Sequence, residues 1–329
     1  MNVALNLIRV EALSISLPAP DGTRLFPVRE VDIAIRRGEV MGLAGESGSG
    51  KTLTALALLG LLPGGARTSG RILFDGRDLA ALSEHQLAQV RGRDIAMVFQ
   101  DPMTSLHPML TVERQMTEHL RHHRGHDRRA ARERAIELLN LVRIPHPEAA
   151  LRRYPHQFSG GMRQRLAIAS ALACEPRLLI ADEPTTALDV TVQAGILRLL
   201  HDLRERLGLS VLLITHDLGV MSALADRVAV MYAGRVVELG PRAEVLARSR
   251  HPYTRGLLDS LPKHDGRPQG LQALPAAPPP LGQLPPGCAF HPRCRWVAQS
   301  CRAIPPPLAP VSPQHSSACA VDPLVREAI

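Results

Sequence analysis

One short segment, Gly45-Glu46-Ser47-Gly48-Ser49-Gly50-Lys51-Thr52, limits what this chain can fold into more than any other. Three glycines spread over residues 45–50 cannot continue a helix or a regular strand without cost. Yet the apolar run Val40-Met41-Gly42-Leu43-Ala44 precedes them, and an apolar helical pattern over residues 52–62 follows. Strand, glycine loop and helix together bring backbone N–H groups and a helix N-terminus to one point, which favours an anion there. The spacing fits G-x-x-x-x-G-K-[ST]. In that pattern the loop amides cradle phosphates, the lysine reaches them as a point charge, and the hydroxyl holds Mg²⁺. Composition sharpens the lysine's meaning: of 39 basic residues only Lys51 and Lys263 are lysines. A compact ammonium has been kept where a planar guanidinium would not fit a tight backbone loop. The segment therefore implies nucleotide-phosphate binding by residues 45–52, with Mg²⁺ on Thr52. A Gly-Ser linker carrying an incidental lysine would lack the flanking strand and helix.

The 329 residues allow one large domain and a smaller one, or two of moderate size. A hydrophobic content of 45% supports a buried core, filled by Leu, Val, Ile and Ala because aromatics make up only 3%. The net charge of +8 could suit nucleic acid or an anionic membrane, but it is scattered and a solvated basic surface fits as well, so charge alone decides nothing. That no nucleic-acid partner is expected rests on the motifs and not on the charge. Met1-Asn2-Val3-Ala4-Leu5 does not open a secretory leader, and no run of ~18 apolar residues occurs. The expected location is cytosolic or peripheral to a membrane.

Residues before about 40 alternate apolar and polar, as in Val31-Asp32-Ile33, which predicts antiparallel strands with a turn near Pro18, Pro20, Asp21 and Gly22. Three apolar runs, starting at Leu178, Val211 and Val228, predict buried parallel strands. Ile196, Leu199, Leu200, Leu203 and Leu207 recur at helical spacing between the first two. Strand and helix alternating in this way predict an α/β fold with a parallel sheet. Residues 101–170 change texture and predict an inserted helical subdomain. Its His119, His122, His123 and His126 lie among arginines that would repel a metal cation, so a solvated helix end is expected. Beyond about 240 the pattern turns irregular, with a Pro- and Gly-rich linker over 262–286.

Asp182 and Glu183 end the run Leu178-Leu179-Ile180-Ala181, which places two carboxylates at the C-terminal edge of a buried strand, where α/β proteins bind ligands. Asp182 can share Mg²⁺ with Thr52, and Glu183 can polarise a water for attack on a γ-phosphate. An ordinary strand-end turn is the alternative, since Glu183-Pro184 would satisfy that too. Ser159-Gly160-Gly161 opens another apolar-periodic segment. Ser159 suits an N-cap, and the glycines let a phosphate approach the helix end. On its own this is equally a capped helix.

Taken in order, residues 45–52, Gln100, Ser159-Gly160-Gly161, residues 178–183, Ala187-Leu188-Asp189 and His216 resemble the ATP-binding subunits of ABC transporters over roughly residues 5–240. The resemblance implies a P-loop NTPase (RecA-like) core, an antiparallel β subdomain and the inserted helical subdomain, all within 1–240. It implies two ATPase domains set head to tail with ATP between them. Ser159, Gly160 and Gly161 would meet the γ-phosphate on the partner's loop, Gln100 would sense Mg²⁺, His216 would orient the γ-phosphate, and Asp189 would bridge the sites. Met162 stands where the family commonly has Gln. Leu17 aligns with the aromatic that stacks on adenine, and Phe26 is the nearest aromatic.

Residues 251–258, from His251-Pro252-Tyr253, and 287–294, from Gly287 to Cys294, resemble the C-terminal extension of dipeptide, oligopeptide and nickel importer ATPases, giving a second region at 241–329. Cys288, Cys294, Cys301 and Cys319 suit a [4Fe–4S] cluster or Zn²⁺, and the resemblance favours iron–sulfur; free or oxidised thiols are the alternative. Cys174 reads as a small core residue. The function implied is ATP hydrolysis energising import of di- and oligopeptides. The partners implied are two transmembrane permease subunits, a second ATPase subunit (related or identical) and an extracytoplasmic solute-binding protein, at the cytoplasmic face of the cell membrane. A nickel importer ATPase is the nearer alternative and a soluble non-transport ABC ATPase the more distant one.

Overall fold

The computed structural model describes residues 6–101, 105–186, 188–261 and 274–324. Pro102, Ala187, Lys263, the Met1–Leu5 terminus and residues 262–273 of the expected linker lie outside the described residues. The chain forms two compact units. One comprises Ile8–Ile35, Val40–Ala80 and Thr215–Ile329; the other comprises Met1–Leu7, Arg36–Glu39 and Ala81–Ile214.

In the first unit, strands Arg24–Arg36, Asn6–Pro18, Arg67–Phe74 and Arg77–Asp78 lie side by side in that order, the last three joined antiparallel. The predicted alternation holds at its start: Val31 and Ile33 are buried and Asp32 faces out. The same unit pairs Val40–Ala44 in parallel with Arg227–Tyr232, which pairs antiparallel with Arg235–Pro241. All five residues of Val40–Ala44 are buried, so the glycine loop rises from a strand with no solvent-facing side.

The extension is more regular than its sequence suggests. Helices Arg242–Ala247 and Pro252–Asp259 follow the core, and strands His315–Ser317 and Ala309–Ser312 add antiparallel to the edge at Arg235–Pro241. Those strands are too short for alternation to announce them. They are fixed by burial at a distance: Glu238, fully buried, accepts from His315 Nε2 at 2.8 Å and from the Arg250 N–H at 2.6 Å.

In the second unit, Leu178–Asp182 lies between Ile95–Val98 and Ser210–Thr215, all parallel; the sequence predicts this for the runs at Leu178 and Val211 but not for Ile95–Val98. The helical insertion enters the connection between the first two: Val112–Arg124, Arg128–Leu141, Pro147–Leu151 and Gly160–Ala171, three of them capped by Thr111, Asp127 and Ser159. Helix Val190–Leu207 buries Ile196, Leu199, Leu200 and Leu203. Leu207, predicted with them, is instead 46% exposed, because the helix stops there on Gly208 in the left-handed region (φ 62°). Cys174 is buried, as expected of a core residue, whereas His119 and His122 are exposed.

Candidate functional site

The phosphate loop begins where the buried strand ends. Gly45 (φ 148°) and Gly50 (φ 104°) occupy backbone regions closed to other residues, and a Cβ would meet the Met231 carbonyl at 2.3 Å and the Pro27 carbonyl at 2.6 Å respectively. Only glycine allows the loop to sit this close to its neighbours. Gly50 caps helix Lys51–Leu58 with no side-chain acceptor on the first amides, and no acidic residue stands in the first turn. A helix start of that kind suits an anion. Lys51 is 6% exposed, and its ammonium is folded into the loop, donating to the Gly45 carbonyl at 2.7 Å and the Glu46 carbonyl at 2.9 Å. The buried Ser49 hydroxyl meets no partner among the described residues. Ser47, Gly48 and Thr52 are exposed. The loop thus offers amides, an ammonium and hydroxyls, a donor set that fits a polyphosphate, with Thr52 open to Mg²⁺.

Leu17 is half-buried near the end of its strand and Phe26 is 47% exposed, both in the unit that carries the loop. His216, exposed, directly follows strand Ser210–Thr215, and Asp217 caps the next helix by accepting from the Gly219 N–H at 2.7 Å.

In the second unit Asp182, 3% exposed, ends the central strand. Glu183 is buried with φ 51°; its N–H donates to the Ile214 carbonyl at 2.8 Å and its Oε2 accepts from Thr186 Oγ1 at 2.7 Å. A carboxylate so tethered is oriented rather than free to swing, which suits a group that must aim one water. Gln100 is exposed just beyond strand Ile95–Val98. Ser159 caps helix Gly160–Ala171, its Oγ accepting from the Met162 N–H at 3.4 Å, so Met162 leaves the cap intact. A Cβ on Gly161 would stand 2.5 Å from Val192 Cγ1, so this glycine lets the helix reach the start of Val190–Leu207. That second helix is capped by Asp189, which accepts from the Val192 N–H at 2.9 Å. Ser159, Gly161 and Asp189 are thereby brought together by two helix starts.

The four C-terminal cysteines also gather. Burial pushes the Cys288 and Cys294 thiols up and the Cys319 thiol to about 12, and each feels neighbouring thiols as well. The Cys288 N–H donates to the Cys301 carbonyl at 2.8 Å. Four thiolates fit an iron–sulfur cluster in number and chemistry. The spacing is another matter: among the described residues no group of three or more His, Cys, Asp or Glu stands where it could hold a metal ion.

Two residues that motif reading missed touch the loop. Tyr253 Oη accepts the Glu46 N–H at 2.7 Å, and Arg293 grips the Glu46 carboxylate with both terminal nitrogens at 2.7 and 2.9 Å. They lie 207 and 247 residues away along the chain, so no local pattern could have linked them.

Residues 28–186 match the family model described as ABC transporter, and residues 237–301 match that of the oligopeptide/dipeptide transporter C-terminal region. A putative peptide import ATP-binding protein of Brucella melitensis is 50% identical over 308 residues, which cover 90% of this chain and 91% of the relative. The dipeptide transport ATP-binding protein DppD of Bacillus subtilis is 47% identical (95% and 94% covered), and the oligopeptide transport ATP-binding protein OppD of Salmonella typhimurium is 45% identical (95% and 93%). Among solved structures, the dimeric ATP-binding cassette MJ0796 bound to ADP and Pi is similar with a TM-score of 0.64 and 28% identity, over 71% of this chain and 98% of that one. CbiO1 of Clostridium perfringens gives 0.64 at 31% identity, over 74% and 92%.

Proposed function

The chain belongs to the ATP-binding subunits of ABC transporters, in the oligopeptide and dipeptide transporter family, and from that premise we propose how its residues work and what it assembles with. It binds and hydrolyses ATP to energise peptide import. The observation that carries the reading is the loop itself: a glycine-cradled turn on a buried strand, with Lys51 held inside it and a helix start exposed beside it.

ATP lays its β- and γ-phosphates on the amides of residues 45–52. Lys51 exchanges its two loop carbonyls for phosphate oxygens. Thr52, Asp182 and Gln100 are the residues that would hold Mg²⁺, which when bound offsets the charge of the phosphates. Glu183, aimed by Thr186, orients a water toward the γ-phosphorus. The new P–O bond forms as the bond to the β–γ bridging oxygen breaks, and the water's proton passes to the carboxylate or the departing phosphate. His216 positions the γ-phosphate. Ser159, Gly160 and Gly161 present their helix start to the nucleotide on a second ATPase subunit, and Asp189 lies at that junction. This pairing is supported by the dimeric MJ0796 relative, which was seen with ADP and Pi. Splitting the site makes closure depend on ATP and opening depend on hydrolysis. No helix among the described residues is long and apolar enough to cross a membrane, so the pathway belongs to two permease subunits. The chain sits against them at the cytoplasmic face, and an extracytoplasmic binding protein delivers the peptide. For the four C-terminal thiols a [4Fe–4S] cluster is proposed on donor number and chemistry alone, since among the described residues no three of them stand where they could hold a metal ion; no step of hydrolysis is assigned to it.

The test is ATPase activity of the complex purified with its permeases and binding protein, across a panel of di- to pentapeptides and Ni²⁺. Peptide stimulation is expected. Stimulation by Ni²⁺ alone, or full activity without permeases, would replace this reading with one of its alternatives.

A further inference from the structure

Glu46 is a meeting point. Its backbone carbonyl accepts from the Lys51 ammonium at 2.9 Å, while its N–H and its carboxylate are both held by the C-terminal extension. Arg293 reaches it from a short turn between Cys288 and Cys294, with its side chain only 3% exposed. Besides its two bonds to Glu46, the guanidinium donates from Nε to the Pro275 carbonyl at 2.9 Å and from a terminal nitrogen to Tyr232 Oη at 3.4 Å. It is flanked by the Tyr232 and Phe290 rings at 5.8 and 5.7 Å. Tyr253 is wholly buried, with ring centroids 4.6 Å from Tyr232 and 5.4 Å from Phe290. The fork is therefore fixed from behind by an aromatic block and a carbonyl before it touches the loop. A paired guanidinium held this way has little freedom left to lose on gripping a carboxylate.

We propose that Arg293 and Tyr253 are positioning residues of the ATP site: they fix Glu46, and through Glu46 the phosphate loop and Lys51, so nucleotide affinity depends on the chain's own C-terminal extension. The inference rests on the ATP reading above and adds a dependence to it. Without the anchor the loop samples other shapes, and apparent affinity falls by the fraction of time it spends in the competent one.

The experiment is MgATP titration calorimetry on the full chain, comparing wild type with Arg293→Met, Arg293→Lys, Tyr253→Phe, Glu46→Gln and the Arg293→Met/Glu46→Gln pair. Thermal midpoints without nucleotide show which variants are folded. Arg293→Met should weaken MgATP about tenfold, the effect of lowering the competent fraction to a tenth. Arg293→Lys keeps the charge but not the fork and should recover part of the loss. Tyr253→Phe removes one hydroxyl from a packed ring, so the fold persists, and it should weaken binding about threefold by the same route. The double variant should bind no worse than the weaker single one, because both changes break one linkage. A folded Arg293→Met or Tyr253→Phe protein with wild-type affinity overturns the proposal, as do losses that multiply in the double variant. Lys51→Ala separates the two levels. If wild type fails to bind MgATP, or Lys51→Ala binds it equally well, the ATP reading itself fails. If both behave as expected and Arg293→Met is unchanged, only the positioning role is lost.

Discussion

Mild acid should loosen the C-terminal extension through one imidazole. His251, 1% exposed, caps helix Pro252–Asp259: its Nδ1 accepts the Tyr253 N–H at 3.1 Å, and its backbone N–H donates to Glu238 at 3.3 Å. The opposite edge of the ring bonds the Ala318 backbone, and burial, the larger influence, drives its pKa from 6.5 down to about 3. A proton on Nδ1 would abolish the cap. The unfolded chain takes up that proton near 6.5 and the folded one only near 3, so between those values the unfolded state binds more protons. The contribution is fully present above 6.5 and is lost as pH falls toward 3. Over the whole window it amounts to roughly 5 kcal/mol, of which about 2 kcal/mol is lost between pH 7 and pH 5. The sequence has one tryptophan, Trp296, which lies in the extension, so its fluorescence during urea unfolding reports this region. Glu238, His315 and Arg250 also face this cap, so the comparison is with His251→Asn, which leaves those neighbours in place and whose side-chain oxygen can replace the cap without titrating near neutrality. Wild type should lose about 2 kcal/mol more than His251→Asn on going from pH 7 to pH 5. Equal losses in the two proteins would refute the argument.

Glu183→Gln keeps the Thr186 contact and removes the charge that polarises water, so turnover of the assembled complex should fall at least about a hundredfold while MgATP affinity holds. Near-normal turnover would remove Glu183 from its role. Gly161→Ala places a Cβ 2.5 Å from Val192 Cγ1 and should cut ATPase activity at least about tenfold; adding Val192→Ala should recover part of it. No recovery would mean that the glycine is needed for something other than this approach. Protein purified without oxygen should be brown with about four irons per chain, and colourless protein with stoichiometric zinc would exclude the cluster.

What could be read ahead of the structure was local. The loop, the carboxylates after Leu178-Leu179-Ile180-Ala181 and the Ser159 cap each announce themselves within about ten residues, because strand ends, helix starts and glycine-only turns are short-range chemistry. The expected boundary near 240 was drawn where the helical and strand pattern fades. Yet Glu238 and Leu239 pair with Ser317 and Ser316, so the strand at that boundary is hydrogen-bonded to the far end of the extension. Pairing of this kind depends on what is buried opposite. Three serines and prolines such as Pro310 give no strand signal until Glu238 and His315 are seen facing each other. The Arg293 fork was illegible for the same reason: either residue alone is an ordinary surface charge.

The identity of Glu46 gains a reason from that fork. Phosphate loops bind through backbone amides, so the residue after the first glycine is chemically free to vary, and a carboxylate is a costly choice because it repels a triphosphate a few ångströms away. Arg293 answers the cost within the same chain. Its charge offsets that of Glu46 from a side chain only 3% exposed, and the Glu46 side chain at 25% leaves solvent only partial access to screen the pair. An extension bearing such an arginine turns a repulsive side chain into a handle on the loop. Removing the extension would leave Glu46 both loose and negative, so the loss in nucleotide affinity would exceed that of an anchor alone. The carboxylate at 46 and the guanidinium at 293 are best understood as one device, split between the loop that binds phosphate and the segment that holds it still.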